Sequence, residues 1–190
     1  MGWLGDHAMG CYGENLLVDN GALYYKWLQD VADTQDEDGL IADVAPAFWV
    51  VRNKDVAWGA LSVYATFMLL RRYNDINAVS KYYPFLQRYM HYLDKNLEDG
   101  IVPTSCYGDW CMPPERLDLI HSEDPSRRTD GKLISSAMYY SMLSMMGQMA
   151  MTLGIEPDMM DYDRRQAKLK EAYNRHFFNA ETGCYSNNTV

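Results

Sequence analysis

One segment in the first half of the sequence is apolar on nearly every side of the helix that it would form. Residues 56–73 read VAWGALSVYATFMLLRRY, and only the last turn carries charge. A helix on a protein surface needs a polar face, so this helix is expected to be buried on all sides. The remaining segments must therefore supply the helices that cover it.

Apolar helices of this kind alternate with amphipathic ones three times along the chain. In each amphipathic helix, apolar side chains recur at helical spacing opposite a charged face. A buried helix followed by its outer cover, repeated, builds a double ring of helices. We predict an all-α fold of three helical hairpins, or six main helices. The predicted pairs are 6–18 with 22–34, 56–73 with 84–97, and 132–153 with 158–178, with a short helix over 78–83 that ends before Pro84 and with turn and coil over 179–190.

The connections between these helices favour a binding site at one end of the ring. Links from an inner to an outer helix are short or moderate, whereas the returns over 35–55 and 98–131 are long. In an up-and-down ring both returns and the start of the chain emerge on the same face, and loops carry much of a protein's chemistry. The candidate site therefore gathers side chains from three distant segments: Trp3, Asp6, Asp55, Trp58, Asp109 and Trp110.

The first of these segments, MGWLGD at 1–6, has a pattern that suits a sugar ligand. A sugar ring can lie on the indole of Trp3 while the Asp6 carboxylate accepts its hydroxyls. Taken alone, the pattern also fits a core tryptophan followed by a helix-capping aspartate. Both interpretations stay open for this segment by itself.

Composition excludes several classes of protein. The 190 residues suffice for one domain with a real core, and the net charge of −9 without a basic stripe argues against a nucleic-acid partner. No apolar run approaches the roughly 20 residues that span a bilayer, and Met1 is not followed by a signal-peptide pattern. We expect free thiols and neither metal nor cofactor, because the cysteines lack disulfide-scaffold or zinc-ligand spacing. They are Cys11, Cys106, Cys111 and Cys184.

Several short motifs, in order along the whole chain, resemble those of one known family. The chain resembles the catalytic domain of bacterial α-L-rhamnosidases, glycoside hydrolase family 78. The resemblance implies a six-hairpin (α/α)6 toroid, of which residues 1–190 form one partial domain, the N-terminal half. The motifs are MGWLGD (1–6), YKWL (25–28), ADVAP (42–46), AWG (57–59), YGDW (107–110), and FFN with TG (177–179 and 182–183).

The resemblance also implies an activity, the removal of terminal α-L-rhamnose from glycosides or polysaccharides with inversion. Inversion uses an acid and a base carboxyl roughly 6.5–9.5 Å apart. The family's acid is a glutamate just upstream of where Met1 stands, and its base lies beyond Val190, so the isolated chain is expected to be inactive. Sugar binding carries over to Trp3, Asp6, Trp58 and Trp110, with Asp109 beside the last.

Two positions depart from the family pattern. Ala60 stands where the family commonly has an aspartate, and the rhamnose-contacting aspartate before Trp58 corresponds either to Asp55 or to a position that Asn53 now occupies. Two other hypotheses remain: a non-catalytic helical module that binds a glycan or a protein, and an (α/α)6 glycosidase of other sugar specificity. An open half-ring would leave the edges of its inner helices exposed, so a homodimer or low stability is also expected.

Overall fold

The computed structural model describes residues 2–103, 106–109 and 111–185. Helices account for most of these residues, which confirms the predicted all-α class. A 3-10 turn, Pro125–Arg127, lies in the long loop before α6. The elements, in order, are α1 (Leu4–Leu17), α2 (Gly21–Ala32), α3 (Val56–Gly59), α4 (Leu61–Tyr73), α5 (Ile76–Lys95), α6 (Gly131–Leu153), α7 (Glu156–Phe177), β1 (Phe178–Asn179) and β2 (Cys184–Tyr185).

Helix α4 lies at the centre of the fold. Every residue from Leu61 to Leu70 except Tyr64 is buried, and the helix contacts α1, α2, α5 and α6. Its two buried hydroxyls, on Ser62 and Thr66, donate to helix carbonyls at 2.8 and 2.7 Å, so no polar group is left unpaired by this burial. The predicted burial is confirmed for residues 61–70, but the predicted helix over 56–73 is divided into α3 and α4, and residues 71–73 are exposed.

In two of the three predicted hairpins, the two helices of the hairpin pack along each other. Helix α5 lies along α4, and α7 lies along α6. Each pair is joined by a short turn with a left-handed residue at the helix end, Asn74 (φ 52°) and Gly154 (φ 72°). The first pair differs, because α1 and α2 both pack on α4. A hydrogen bond of 2.7 Å from the Tyr24 hydroxyl to Glu14 links these two helices.

The predicted helix boundary before Pro84 is wrong, because α5 runs unbroken from Ile76 to Lys95 with Pro84 inside it. A proline in a helix interior removes one backbone hydrogen bond and normally ends the helix. Here the side chains on both sides of Pro84 are anchored in the core. Tyr83 and Phe85 are buried, and the Tyr83 hydroxyl donates to Asp158 of α7 at 3.0 Å. Tertiary packing therefore overrides the local signal.

A small hairpin replaces part of the turn and coil that we expected after α7. Phe178 pairs with Tyr185 and Asn179 with Cys184 in antiparallel register. The turn is closed by a hydrogen bond of 2.8 Å from the Gly183 amide to the Asn179 carbonyl.

The inner helix α1 has a wide exposed apolar face, as the half-ring hypothesis predicts. Met9, Tyr12, Leu16 and Leu17 all lie on it and are exposed to solvent. The four cysteines form no disulfide with one another. Within the described ranges no helix has the length and apolar character needed to cross a bilayer.

Candidate functional site

The start of the chain is held against the loop that returns from α2. Trp3 and Val44 form an antiparallel bridge, with hydrogen bonds from Ala45 N to Gly2 O (2.8 Å) and from Leu4 N to Asp43 O (3.1 Å). Position 2 admits no side chain, because a Cβ there would lie 2.2 Å from the Ala45 carbonyl oxygen. This close approach packs the motif at 1–6 against the motif at 42–46, and it holds Trp3 against the loop.

Position 5 likewise makes room for a neighbour. A Cβ on Gly5 would lie 2.3 Å from the Trp58 indole, which is closer than two non-bonded carbon atoms can approach. The indole of Trp58 therefore lies directly on the first turn of α1. Glycine at this position brings the tryptophan of the second motif beside the first motif.

The buried carboxylate of Asp55 ties the second long loop to α3. Its Oδ1 accepts hydrogen bonds from the amides of Ala57 (2.9 Å) and Trp58 (3.2 Å), the N-cap arrangement for α3. Its Oδ2 accepts from the amides of Cys106 (2.7 Å) and Tyr107 (2.8 Å). The side chain is only 3% exposed. Asp55 thus holds residues 106–107 against the helix that carries Trp58.

Three aromatic rings meet where these segments converge. The Tyr107 ring lies between the two indoles, with centroids 5.9 Å from Trp3 in an edge arrangement and 4.3 Å from Trp58. The Tyr107 hydroxyl donates to Asp43 Oδ2 at 3.4 Å and accepts a hydrogen bond from Asn53. These two hydrogen bonds fix the orientation of the Tyr107 ring between the two indoles.

A cavity of about 840 Å³ opens beside this aromatic group. That volume falls in the range of about 300–1,000 Å³ that is usual for small-molecule sites. Asp6 lies in the first turn of α1, is exposed, and supplies a carboxylate to a wall that is otherwise mainly apolar or aromatic. The lining residues are Trp3, Gly5, Asp6, Met9, Ala57, Trp58, Tyr107, Gly108, Ile134 and Met138.

All of residues 1–190 match the family described as the bacterial alpha-L-rhamnosidase 6 hairpin glycosidase domain. The chain belongs to this family. An alpha-L-rhamnosidase from Streptomyces avermitilis is 28% identical in an alignment of 149 residues, and the alignment covers 74% of this chain and 14% of that protein.

Solved structures show the same fold. The alpha-L-rhamnosidase from Dictyoglumus thermophilum superposes with a TM-score of 0.84 at 30% identity, over 95% of this chain and 20% of that one. The Streptomyces avermitilis enzyme complexed with L-rhamnose gives 0.79 at 24% identity, over 94% and 16%. This rhamnosidase-family chain thus spans about a fifth or less of the length of these relatives, and the toroid-fragment fold is confirmed.

The structure brings part of the predicted rhamnosidase site together. Trp3, Asp6 and Trp58 line one cavity, although they come from separate segments. Asp55 is buried and is not among the lining residues, and its carboxylate accepts hydrogen bonds from backbone amides. Asp109 follows the lining residue Gly108, and its Oδ2 accepts hydrogen bonds from the amide (3.3 Å) and hydroxyl (3.0 Å) of Thr129. Trp110, also predicted here, lies outside the described residues.

The predicted site residues did not include five of the lining side chains, among them Ala57 beside Trp58. Tyr107 stands in the same YGDW motif as Asp109, so its position after a long loop could have marked it. Ile134 and Met138 are four residues apart near the start of α6, on the helix face that points to the cavity. Met9 follows Gly5 by one turn of α1 in the same way. Periodicity assigned these apolar side chains to the core, because nothing in it separates a core face from a cavity wall.

Groups near the cavity that could act as nucleophiles have raised pKa values, which disfavours their ionised forms. Burial, with Asp55 and Asp43 close by, raises the pKa of the Cys106 thiol. Burial also raises the pKa of Tyr107 and that of Asp43. Among the described lining residues, Asp6 is the one carboxylate. The arrangement therefore suits binding of a neutral, hydroxyl-bearing ligand against aromatic faces more than covalent chemistry.

Proposed function

We propose that this chain forms part of the L-rhamnose pocket of an inverting α-L-rhamnosidase. The observation that carries the proposal is the convergence of Trp3, Asp6 and Trp58 on one cavity. Indole faces attract the C–H face of a pyranose, and a fixed carboxylate selects its hydroxyls. The L-rhamnose bound to the Streptomyces avermitilis relative, which shares the fold, supports this sugar as the ligand.

The roles divide between contact and support. Trp3 and Trp58 supply the stacking surfaces, and Asp6 accepts sugar hydroxyls at the N-terminus of α1. We also assign Asp109 and Trp110, from the second long loop, to the sugar-binding residues. Asp55 supports the site by holding the backbone of residues 106–107. Its carboxylate accepts hydrogen bonds from four backbone amides, so it does not serve as the rhamnose-contacting aspartate that the family places before Trp58.

Hydrolysis needs groups that this chain does not present together. Inversion requires two carboxyls roughly 6.5–9.5 Å apart across the sugar. Asp6 is the one carboxylate among the described lining residues, and Asp43 and Asp55 are buried and hydrogen-bonded. By resemblance, the acid and base glutamates lie in sequence before and after these 190 residues. We therefore infer that the isolated chain is inactive.

Kinetics on the full-length polypeptide that contains this chain test the proposal. With p-nitrophenyl α-L-rhamnoside as substrate, D6N and W58A are expected to lower kcat/KM by about 10-fold or more, since each removes a contact to the sugar. The matched control is E171Q, which neutralises an exposed carboxylate on the outer helix α7. Hydrolysis by the purified 190-residue chain, lost in D6A, would refute the division of labour proposed here.

The exposed apolar face of α1 suggests what happens to the chain in isolation. Exposed apolar patches of this kind usually mark surfaces that another element covers. We propose that further helices of the toroid cover Tyr12, Leu16 and Leu17 in the full-length polypeptide. The 190-residue chain on its own would then form a homodimer through this face or be of low stability.

A further inference from the structure

The loop beside the rhamnose pocket carries an exposed aromatic pair that the pocket itself does not use. Phe48 is 90% exposed and Trp49 is 61% exposed, and Val50 after them is exposed as well. The two rings meet edge to face, with centroids 5.4 Å apart. Large aromatic side chains are rarely left in solvent together without a ligand or partner to cover them.

Backbone hydrogen bonds attach this loop to the rim of the cavity. Its two ends are closed by a bond of 2.8 Å from Asp43 N to Val51 O, and Gly2 N donates to Pro46 O at 3.2 Å. Gly2 directly precedes the cavity residue Trp3. Because Phe48 follows Pro46 by two residues, its Cα lies within about 8 Å of the Pro46 Cα. The aromatic pair is therefore close to the segment that carries the cavity residue Trp3.

The chemistry of the loop favours one kind of leaving group. Residues 44–51 read VAPAFWVV, so the Trp49 indole N–H is the one hydrogen-bonding side-chain group in the run. The next polar side chain, Arg52, donates to the Thr34 carbonyl at 2.6 Å and lies 3.9 Å from Asp36. A second sugar would bring hydroxyls that find few partners here, and unpaired polar groups are costly to cover. A flat aromatic group loses nothing by the contact and gains ring stacking.

We propose that the loop of residues 46–50 is the leaving-group subsite of the pocket and that Phe48 and Trp49 stack on an aromatic aglycone. The proposal rests on the proposed function, because it assumes that rhamnose fills the neighbouring cavity. It assigns to this loop a choice between aromatic and sugar leaving groups, while the cavity residues select the rhamnose itself.

Binding of three sulfur-linked, hydrolysis-resistant rhamnosides to the full-length polypeptide tests this by calorimetry. The ligands are methyl, 2-naphthyl and glucosyl α-L-thiorhamnoside. The naphthyl compound should bind about 3- to 10-fold tighter than the methyl compound, the range expected for one or two ring contacts. The glucosyl compound should gain less than twofold.

The variants locate the effect. W49L keeps the loop apolar but removes its larger ring, and the double variant F48S/W49S removes both. Each should bring the naphthyl affinity to within about twofold of the methyl affinity while the methyl affinity stays unchanged. The control M160S replaces an exposed apolar side chain on the outer helix α7 and should keep the full naphthyl advantage. Unchanged methyl binding also shows that each variant is folded.

Three results would overturn the subsite. They are a naphthyl compound that binds no tighter than the methyl one, an advantage that survives in F48S/W49S, and a glucosyl compound that gains more than the naphthyl one. Failure of the methyl compound to bind at all would instead contradict the proposed function, and the subsite would fall with it. The two failures are therefore distinguishable.

Discussion

At the scale of single residues, the site depends on a contact between α1 and Trp58 that leaves no room for a methyl group. In G5A the new Cβ would lie 2.3 Å from the indole, so Trp58 must leave the cavity wall. We expect the free energy of unfolding to fall by about 1–3 kcal/mol, the usual cost of overpacking. Binding of L-rhamnose should weaken by about 10-fold or more, as measured by calorimetry.

A second glycine on the same helix provides the control for this prediction. Nothing lies within 4 Å of a Cβ built at Gly13. Alanine is a better helix former than glycine, so G13A should raise the free energy of unfolding by about 0.5–1 kcal/mol and leave sugar binding unchanged. Equal effects of the two substitutions would show that the contact with Trp58 is unimportant.

The buried carboxyl of Asp43 makes stability depend on pH. Burial raises its pKa in the folded protein above the value of about 3.9 in the unfolded chain, so the folded state binds this proton more tightly. The stabilisation is complete below the unfolded pKa and is lost as the pH rises through the folded pKa. D43N should therefore be at least as stable as the native chain at pH 7, and its stability should vary less with pH above about 4.

Denaturant unfolding between pH 3.5 and 8 measures this difference. E171Q, at an exposed carboxylate of α7, should keep the pH dependence of the native chain. A D43N protein that is much less stable at pH 7 than at pH 4, relative to the native chain, would mean that the ionised carboxylate is favoured by its hydrogen bonds with Asn53 and Tyr107.

At the scale of helices and loops, the proline inside α5 is a site where stability can be gained. P84A restores a backbone amide to a helix that is already continuous, and Pro84 is exposed. The removed helix penalty of about 3 kcal/mol is offset in part by greater freedom of the unfolded chain. We expect a net gain of about 1–2 kcal/mol in the free energy of unfolding.

Thermal and denaturant unfolding of P84A and R88A separate this effect from a general surface change. Arg88 is exposed on the same helix, so R88A should shift stability by less than about 0.5 kcal/mol. A loss of stability in P84A would show instead that the pyrrolidine ring makes packing contacts that α5 needs.

Helix type and order were predictable from the sequence because each helix carries its own burial pattern. The span 56–73 is apolar on nearly every side, and the structure buries most of residues 61–70 at the centre. The continuity of α5 was not predictable, since it comes from Tyr83 and Phe85 being held by distant helices. The helix-breaking tendency of proline depends on local sequence only, so it does not include the packing of Tyr83 and Phe85 against distant helices.

The candidate site was predictable only in part, for a similar reason. Loop lengths placed Trp3, Asp6 and Trp58 at one end, and they line one cavity. Sequence could not show that the Asp55 carboxylate would be taken up by four amides, two of them from a loop some 50 residues away. It also could not distinguish Met138 as a cavity wall from its neighbours in the core.

At the scale of the whole molecule, we propose that the exposed apolar face of α1 determines the oligomeric state of the 190-residue chain. Leu16 and Leu17 are both exposed on it. Light scattering of the isolated chain should show a dimer whose fraction falls with dilution, because covering this face removes apolar area from water. The double variant L16K/L17K should be monomeric at the same concentration, and L23K, on α2, should not be. A native chain that is a stable monomer at all concentrations contradicts this prediction.

A crystal structure of the full-length polypeptide soaked with L-rhamnose would show whether the cavity binds the sugar. We predict that the sugar occupies the cavity, with its ring against the indole of Trp3 or Trp58 and at least one hydroxyl within hydrogen-bonding distance of the Asp6 carboxylate. L-rhamnose bound at another place, with no contact to Trp3, Asp6 or Trp58, would contradict the account.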